Sequence, residues 1–250
     1  MRLFDRSSSG MQATTFCLHI QERCQKVLLE TEEIEREANL YRNLESGQLF
    51  LGMGRACREL VLRATLLEFV TRHPRIRVQV REGTPDELVY GLKNRQYDMV
   101  IAGYRSYQEV EGISWEVLKH ISIPVFVRHD HPLANRKGIG LAELAQYPIV
   151  SATELSPAHP FRQQVFAEAE LNAHVLCSDY GVPGQILLSS DAWAAAPEQQ
   201  FAREVEEGSL TILDVPSWGL TTELSVIELT GRSRSPSAQR FVELCRANLP

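Results

Sequence analysis

The sequence predicts an α/β protein with two lobes, preceded by one long helix. From residue 47 onwards, short apolar segments alternate with amphipathic helical segments, an order typical of parallel strands covered by helices. Two such units follow one another, each of about 100 residues, a common size for a folding unit. We therefore expect a cleft between two lobes. Ahead of both units, residues 13–44 contain neither glycine nor proline and predict a single helix.

The composition excludes several classes of protein. The chain has 250 residues, 44% of them hydrophobic, with 26 Lys and Arg against 32 Asp and Glu, so the formal net charge is −6. This composition excludes a wholly disordered chain, and the negative charge disfavours sequence-independent binding of nucleic acid. No apolar run reaches the roughly 18 residues of a membrane span. The first residues do not resemble a secretory signal, so we expect a cytoplasmic protein.

The cysteines and histidines do not indicate a metal or catalytic centre. The five cysteines are far apart and form no CxxC pair, so we expect reduced thiols and no bound metal. His129 and His131 have no third ligand nearby and are assigned to a surface turn. The motifs H-E-x-x-H, G-x-S-x-G and Walker A do not occur. We therefore predict no cofactor and no catalytic residue, and a protein that is not an enzyme.

The predicted helix at 13–44 has an apolar seam. Its members lie alternately four and three residues apart, the a/d repeat of a coiled coil: Ala13, Cys17, Ile20, Cys24, Val27, Thr31, Ile34, Ala38 and Tyr41. A helix of about 30 residues is roughly 45 Å long, too long for one small domain. We expect it to pair with a second copy through a dimerisation seam of Ile20, Cys24, Val27, Ile34, Ala38 and Tyr41. A helix packed on its own core is the alternative.

Residues 1–10, ahead of this helix, are polar and predict a loop.

The first α/β unit begins after the helix. Apolar segments predict strands at 48–52, 76–80 and 98–103. A helix is predicted at 58–73. Thr84, Pro85 and Glu87 have the spacing of an N-cap, a first helical residue and a capping-box partner, so another helix begins there.

The second unit is predicted to contain shorter elements. The predicted strands are at 115–122, 123–127, 148–151, 175–177, 192–196, 210–215 and 223–229. The predicted helices are at 141–144, 160–170, 182–189, 201–206 and 237–247.

The segment after the first predicted strand could bind an anion. Gly52, Gly54 and Cys57 give a dinucleotide-type G-x-G-x-x-G with Cys in place of the third glycine. Glu82, the acidic residue after the next strand, lies further from Gly52 than the usual spacing of about 20. An NAD-dependent oxidoreductase that uses this turn stays an alternative. More generally, a helix start favours anions, and Arg55 adds a guanidinium. Cys57 is either a reactive thiol or a small buried residue.

Polar residues follow several of the predicted strands. In open α/β sheets the carboxyl ends of the strands are where ligands bind. The residues at these positions are Arg55, Thr84, Arg105, Ser151, Thr153 and Tyr180. Thr84 alone could simply cap its helix, and Ser151 alone could satisfy a loop. Together, the six residues predict a small-molecule cleft.

Several stretches together resemble the LysR-type bacterial transcriptional regulators. In order along the chain they are LFDR at 3–6, similar to the wing of the winged helix-turn-helix, GQLFLG at 47–52, F-x-x-x-H-P-x-I at 69–76, HPLA at 131–134 and SPSA at 235–238. Leu92, Asp98 and Ile101 match the family's L-x-x-G-x-x-D-x-x-I, in which Asn94 and Arg95 replace the glycine. The order and spacing of these stretches carry the resemblance.

The resemblance implies a two-lobed regulatory domain like the type II periplasmic binding proteins, preceded by a long dimerising linker helix. It divides the chain into a remnant of the winged-helix wing at 1–12, the linker helix at 13–46, lobe I at 47–121 and 223–250, and lobe II at 122–222. It further implies a dimer or tetramer that reads DNA through winged-helix domains, with Arg6 as a phosphate contact. A solute-binding protein of the same fold is the alternative.

The resemblance also implies an effector cleft, in which a small co-inducer is bound and not transformed. Carried over position by position, its residues are Gly54, Arg55, Ala56, Thr84, Arg105, Ser151, Thr153, Tyr180 and Trp193. We expect the effector to be a carboxylate that pairs with Arg55 or Arg105. Thr84 and Ser151 are expected to donate hydroxyl hydrogen bonds to it.

Overall fold

Strands and helices alternate behind a long N-terminal helix. The computed structural model describes residues 2–7, 10–40, 47–61, 65–103, 110–152, 174–177 and 180–249. The strands are β1 Phe4–Ser7, β2 Gly10–Ala13, β3 Gly47–Gly54, β4 Ile76–Gly83, β5 Met99–Gly103, β6 Ile113–Ser122, β7 Val125–Arg128, β8 Val150–Ser151, β9 Val175–Leu176, β10 Ala194–Ala195, β11 Leu210–Ile212 and β12 Thr221–Leu229. The helices are α1 Thr15–Leu40, α2 Arg58–Val61, α3 Leu67–Arg72, α4 Pro85–Lys93, α5 Leu141–Leu144, α6 Gly181–Ser189, α7 Ala202–Glu206 and α8 Pro236–Asn248. Short 3-10 helices, Arg55–Cys57 and Glu198–Phe201, precede α2 and α7.

The N-terminal residues form a hairpin, so the prediction of a loop at 1–10 is wrong. β1 and β2 pair antiparallel. α1 begins at Thr15, slightly later than predicted, because the hydroxyl oxygen of Thr14 caps it by accepting a hydrogen bond from the Cys17 amide at 3.1 Å. The last predicted residues of this helix, 41–44, lie outside the described residues.

Five strands form the first sheet, in the order β4-β3-β5-β12-β6. β3, β4 and β5 are parallel, whereas β12 is antiparallel to β5 and β6. The predicted capping box is confirmed, since the Thr84 amide donates to Glu87 Oε2 at 2.7 Å and the Glu87 amide donates to Thr84 Oγ1. α2 and α3 lie within the predicted helix at 58–73, of which 62–64 lie outside the described residues.

The middle of the chain builds a second group of strands. β7 lies between β10 and β11 and is antiparallel to both, while β8 pairs in parallel with β9. Within this second group, an isolated bridge between Ile149 and Trp193 joins the sheet of β10, β7 and β11 to the pair of β8 and β9. The predicted helix at 160–170 lies outside the described residues.

Each group of strands has its own hydrophobic core. On one face of the first sheet, Phe69 of α3 meets Phe241 of α8 edge to face, with 5.3 Å between the ring centroids. On the other face, side chains of α4 pack on β5 and β12. In the second group, Trp193 and Trp218 make a similar contact at 5.5 Å. Within the parts of the chain that the structure describes, no helix combines the length and apolar character needed to cross a membrane.

Two adjacent crossings carry the chain between the two groups of strands. β6 and β12 stay paired up to Ser122 opposite Thr221. Just beyond this pair, the Ile123 amide donates to the Leu220 carbonyl at 3.0 Å, and the Trp218 indole donates to the Ile123 carbonyl at 2.8 Å. The crossings therefore form one hydrogen-bonded, two-stranded connection.

Arg95 has a left-handed backbone conformation, with φ of 56°, in the turn after α4. It stands where the L-x-x-G-x-x-D-x-x-I motif has glycine, the residue that adopts this conformation without strain. The guanidinium lies 3.1 Å from a carboxylate oxygen of Glu30 in α1, and the Glu30 side chain is 67% exposed. The Arg95 side chain is 30% exposed, and the Arg95 nitrogen that faces Glu30 makes no hydrogen bond within the described residues, so this half-exposed pair contributes little stability.

We predict that Arg95→Gly raises the free energy of unfolding by about 0.5–1 kcal/mol, because the strain that it relieves exceeds the value of the half-exposed ion pair that it removes. The matched control is Asn94→Gly, at a φ of −90°, which should lower that free energy by about 0.5–1 kcal/mol. Urea denaturation measures both. Destabilisation by Arg95→Gly would contradict the argument from strain.

His131 is a buried structural residue, so only His129 of the two fits the predicted surface turn. His129 is 65% exposed, whereas His131 is buried. Because His131 Nδ1 accepts a hydrogen bond from the Leu133 amide, Nε2 carries the hydrogen and donates to the Asp191 carbonyl at 3.1 Å. Burial lowers the pKa of His131, since the charged imidazolium would lose its hydration.

This lowered pKa predicts a pH dependence of stability. The neutral imidazole stabilises the fold above pH about 6.5, the pKa of unfolded histidine, and this contribution is lost as the pH falls toward the folded-state value. In urea denaturation at pH 7.5 and 5.5, His131→Gln should therefore lose less stability between the two values than the parent chain. It should also be less stable at pH 7.5, by about 1–3 kcal/mol. His129→Gln is the control, and an identical pH response in all three proteins would contradict the prediction.

Candidate functional site

Three neighbouring parallel strands end at one edge of the first sheet, and each ends in glycine. These are Gly54 of β3, Gly83 of β4 and Gly103 of β5. Gly54 lies opposite Gly83 in the register, and a Cβ on Gly54 would lie 3.0 Å from the Cβ of Ala102. The edge therefore presents backbone rather than side chains, at the position where such sheets bind ligands.

Arg55, Ala56 and Thr84 directly follow this edge, as predicted, and all three are half-buried. The Thr84 hydroxyl donates to Glu87 Oε2 at 3.0 Å. Hydrogen bonds from the backbone and hydroxyl of Thr84, and then the positive charge of Arg55, lower the pKa of Glu87. The Thr84 hydroxyl hydrogen is thus directed at Glu87, and it must turn away from that carboxylate to reach an effector.

Gly52 and Cys57 do not form the dinucleotide-binding turn that the oxidoreductase alternative requires. Gly52 lies inside β3, where a Cβ would lie 2.8 Å from Val100 Cγ2, so close packing explains this glycine. Cys57 is buried, and burial raises the pKa of its thiol to about 12 despite a hydrogen bond from the Gly103 backbone. A protonated, enclosed thiol is a poor nucleophile, so of the two interpretations of Cys57 the structure supports the small buried residue.

The predicted residues of the second group of strands lie in different environments. Ser151 ends β8 and is half-buried. Tyr180 precedes α6 and packs edge to face against Phe201. Trp193 is 1% exposed, and its indole donates to the Leu144 carbonyl at 3.0 Å. Because the ring is enclosed in the core and its donor is used, we withdraw Trp193 from the effector-binding residues.

The remaining predicted residues lie at the surface or outside the described residues. Arg105 and Thr153 lie outside them, as does Tyr41 of the dimerisation seam. Arg6 is exposed on β1. The other members of the seam are on α1, with Ile20 half-buried and the rest exposed: Cys24, Val27, Ile34 and Ala38.

The structure places further residues near the strand ends that sequence analysis did not identify. α2 contacts the 3-10 helix Glu198–Phe201, so elements of the two groups of strands meet next to this edge. The Gln199 side-chain oxygen in that helix is buried and accepts no hydrogen bond from the residues that the structure describes. A Cβ on Gly103 would lie 2.9 Å from the hydroxyl oxygen of Thr222. A glycine at or just after the end of each predicted strand was a sequence signal for this edge. No sequence pattern pointed to Gln199 or Thr222.

Comparison with known proteins gives consistent results. The family described as LysR substrate binding domain matches residues 42–250. The chain is 26% identical over 243 residues to the SDS degradation transcriptional activation protein of Pseudomonas sp. (strain ATCC 19151), covering 95% of this chain and 79% of that protein. It is 24% identical over 229 residues to the HTH-type transcriptional regulator cbl of Escherichia coli (strain K12), covering 90% and 71%.

Solved structures share the fold. The Synechocystis PCC6803 CcmR regulatory domain in complex with 2-PG matches with a TM-score of 0.70 at 19% identity, covering 82% of this chain and 98% of that chain. The fold class predicted from the sequence, an α/β regulatory domain like the type II periplasmic binding proteins, is thereby confirmed. The family match extends over most of the chain, and the named sequence relatives are transcriptional regulators. The chain belongs to the LysR family of transcriptional regulators.

Proposed function

We propose that this chain senses a small anionic co-inducer, foremost a carboxylate, between lobe I at 47–121 and 223–250 and lobe II at 122–222. The observation that carries the proposal is the common edge of three strands that end in glycine, with Arg55 beside it. The glycines let a ligand approach the backbone, and the guanidinium supplies a bidentate partner for a carboxylate. The CcmR regulatory domain solved with 2-PG supports a small ligand in this fold.

Each residue of the proposed site has a defined role. Arg55 or Arg105 pairs with the carboxylate, and the backbone of Gly54 and Ala56 borders it. From lobe II, the proposed contacts are Ser151, Thr153 and Tyr180. Thr84 joins the site when its hydroxyl turns from Glu87 to the effector, so the two carboxylates compete for one donor.

The effector acts by shifting a conformational equilibrium rather than by reacting. The two-stranded connection at Ile123 and Leu220 is short enough to act as a hinge. A ligand that contacts both lobes binds one inter-lobe angle more tightly and raises its population. The oxidoreductase alternative loses its main support, because Gly52 is a strand residue and Cys57 is buried.

Self-association through α1 transmits this change in the proposed mechanism. Val27 and Ile34 are 65% and 67% exposed in the single chain, and pairing two seams would remove such apolar side chains from water. The hairpin of β1 and β2 corresponds to the wing of a winged helix, with Arg6 near DNA phosphates. The dimer or tetramer then links the effector site to DNA-binding heads.

We predict that Ile34→Glu weakens self-association by at least about tenfold, because a charge in the seam must be desolvated or expelled. The matched control is Leu18→Glu, which changes a side chain that is 54% exposed on the same helix but outside the seam. Sedimentation velocity over a concentration series measures the dissociation constants. Equal weakening by both substitutions would show that the seam is not the interface.

We predict that Arg55→Gln lowers the affinity for the anionic effector by about tenfold or more, as expected for loss of a charged hydrogen bond. Small carboxylates, sulfate, sulfonates and phosphate esters are first screened by thermal shift, and the best probe is titrated by calorimetry. The control is Arg58→Gln, whose guanidinium lies near Glu59 and Glu82. Unchanged affinity in Arg55→Gln would remove Arg55 from the site, and stabilisation by NAD(H) alone would favour the enzyme.

A further inference from the structure

A cavity of about 170 Å³ lies beside β4, the edge strand of the first sheet, away from the carboxyl ends of the strands. It is lined by Phe50, Gln79, Arg81, Gln96 and Tyr97. Phe50 and Gln79 are neighbours in the register of β3 and β4, and Arg81, two residues further along β4, lies on the same face. Arg81 is exposed and Phe50 and Gln79 are half-buried, so this face is partly uncovered at β4, the edge strand.

Tyr97 forms a fixed wall of the cavity. Two glycines make room for its ring: a Cβ on Gly91 of α4 would overlap the ring, and a Cβ on Gly52 of β3 would lie 3.0 Å from it. The Tyr97 side chain is buried, and its carbonyl accepts a hydrogen bond from Arg232 at 3.2 Å. A wall that is already in place lowers the entropy cost of binding a ligand against it.

The other walls combine an aromatic ring with polar side chains. Gln79, Arg81 and Gln96 meet around the cavity beside the ring of Phe50. In the described parts of the chain, these three polar side chains make no hydrogen bond or ion pair with the protein. By contrast, the guanidinium of Arg58 lies within 3.7 Å of a Glu82 carboxylate oxygen. The guanidinium of Arg81 is therefore available to an external anion.

We propose that this cavity is a second ligand site, separate from the strand-end site, for a small aromatic carboxylate. The ring would lie between Phe50 and Tyr97, and the carboxylate would pair with the planar guanidinium of Arg81. Gln79 and Gln96 would donate amide hydrogens to the same carboxylate. The volume is below the roughly 300 Å³ at which pockets for drug-sized ligands begin, so it accommodates a single ring.

The test is a titration of the full ¹⁵N-labelled chain with sodium phenylacetate at constant ionic strength, followed by amide and Gln side-chain NMR signals. Sodium acetate, which lacks the ring, and phenylacetamide, which lacks the charge, are run in parallel. The site predicts saturable shifts at Gln79, Gln96 and Tyr97 with phenylacetate, and binding weaker by about tenfold or more with either analogue. Arg81→Gln should weaken phenylacetate binding by a similar factor. Arg77→Gln, on the same face of β4 but outside the cavity, should leave it within about twofold.

The outcomes separate this site from the effector cleft. Shifts confined to Arg55 and Thr84, abolished by Arg55→Gln, would overturn the second site while supporting the cleft. Shifts around Gln79 that persist in Arg55→Gln and vanish in Arg81→Gln would support the second site, whatever the cleft binds. Equal loss of binding in Arg81→Gln and Arg77→Gln would show a diffuse charge effect and overturn the proposal.

Discussion

The pairing of the two crossing segments is the constraint on which the architecture depends. β12 lies between β5 and β6 in the first sheet, yet the chain reaches β12 only after it has built β7 to β11. The first sheet is therefore complete only when the chain has returned from the second group of strands and its return segment pairs at Ser122 and Thr221. The same connection holds Thr222 next to Gly103, so its end borders the candidate site.

The chemistry of that site follows from what the strand ends lack. Gly54, Gly83 and Gly103 remove side chains from the sheet edge, so the polar groups come from the residues after the strands, Arg55 and Thr84. Glu87 already uses the donors of Thr84, which places a carboxylate of the protein where we propose that an effector carboxylate competes. Arg55 therefore gives the site a positive charge, and the carboxylate of Glu87, in the capping box of α4, partly neutralises that charge.

Local signals in the sequence predicted the positions of helices and strands better than the roles of individual residues. The Thr84 capping box was predictable because all its groups lie within four residues, and the helix after Thr14 because one uninterrupted segment specifies it. The residue pattern did not predict the hairpin of β1 and β2, since each strand has only four residues and no clear periodicity, and pairing fixes it. Trp193 and His131 were misassigned because their roles depend on partners distant in sequence, the carbonyls of Leu144 and Asp191.

By itself, the sequence determined the α/β class, the long helix with its seam and the strand ends that carry Arg55 and Thr84, because periodicity, capping and glycine placement act over a few residues. The tertiary structure decided which strands are neighbours, that Gly52 and Gly91 serve to seat Tyr97, and that Cys57 is enclosed. These outcomes depend on contacts between segments separated by tens of residues. The place of β12 between β5 and β6 further requires that the chain cross to its second group of strands and return.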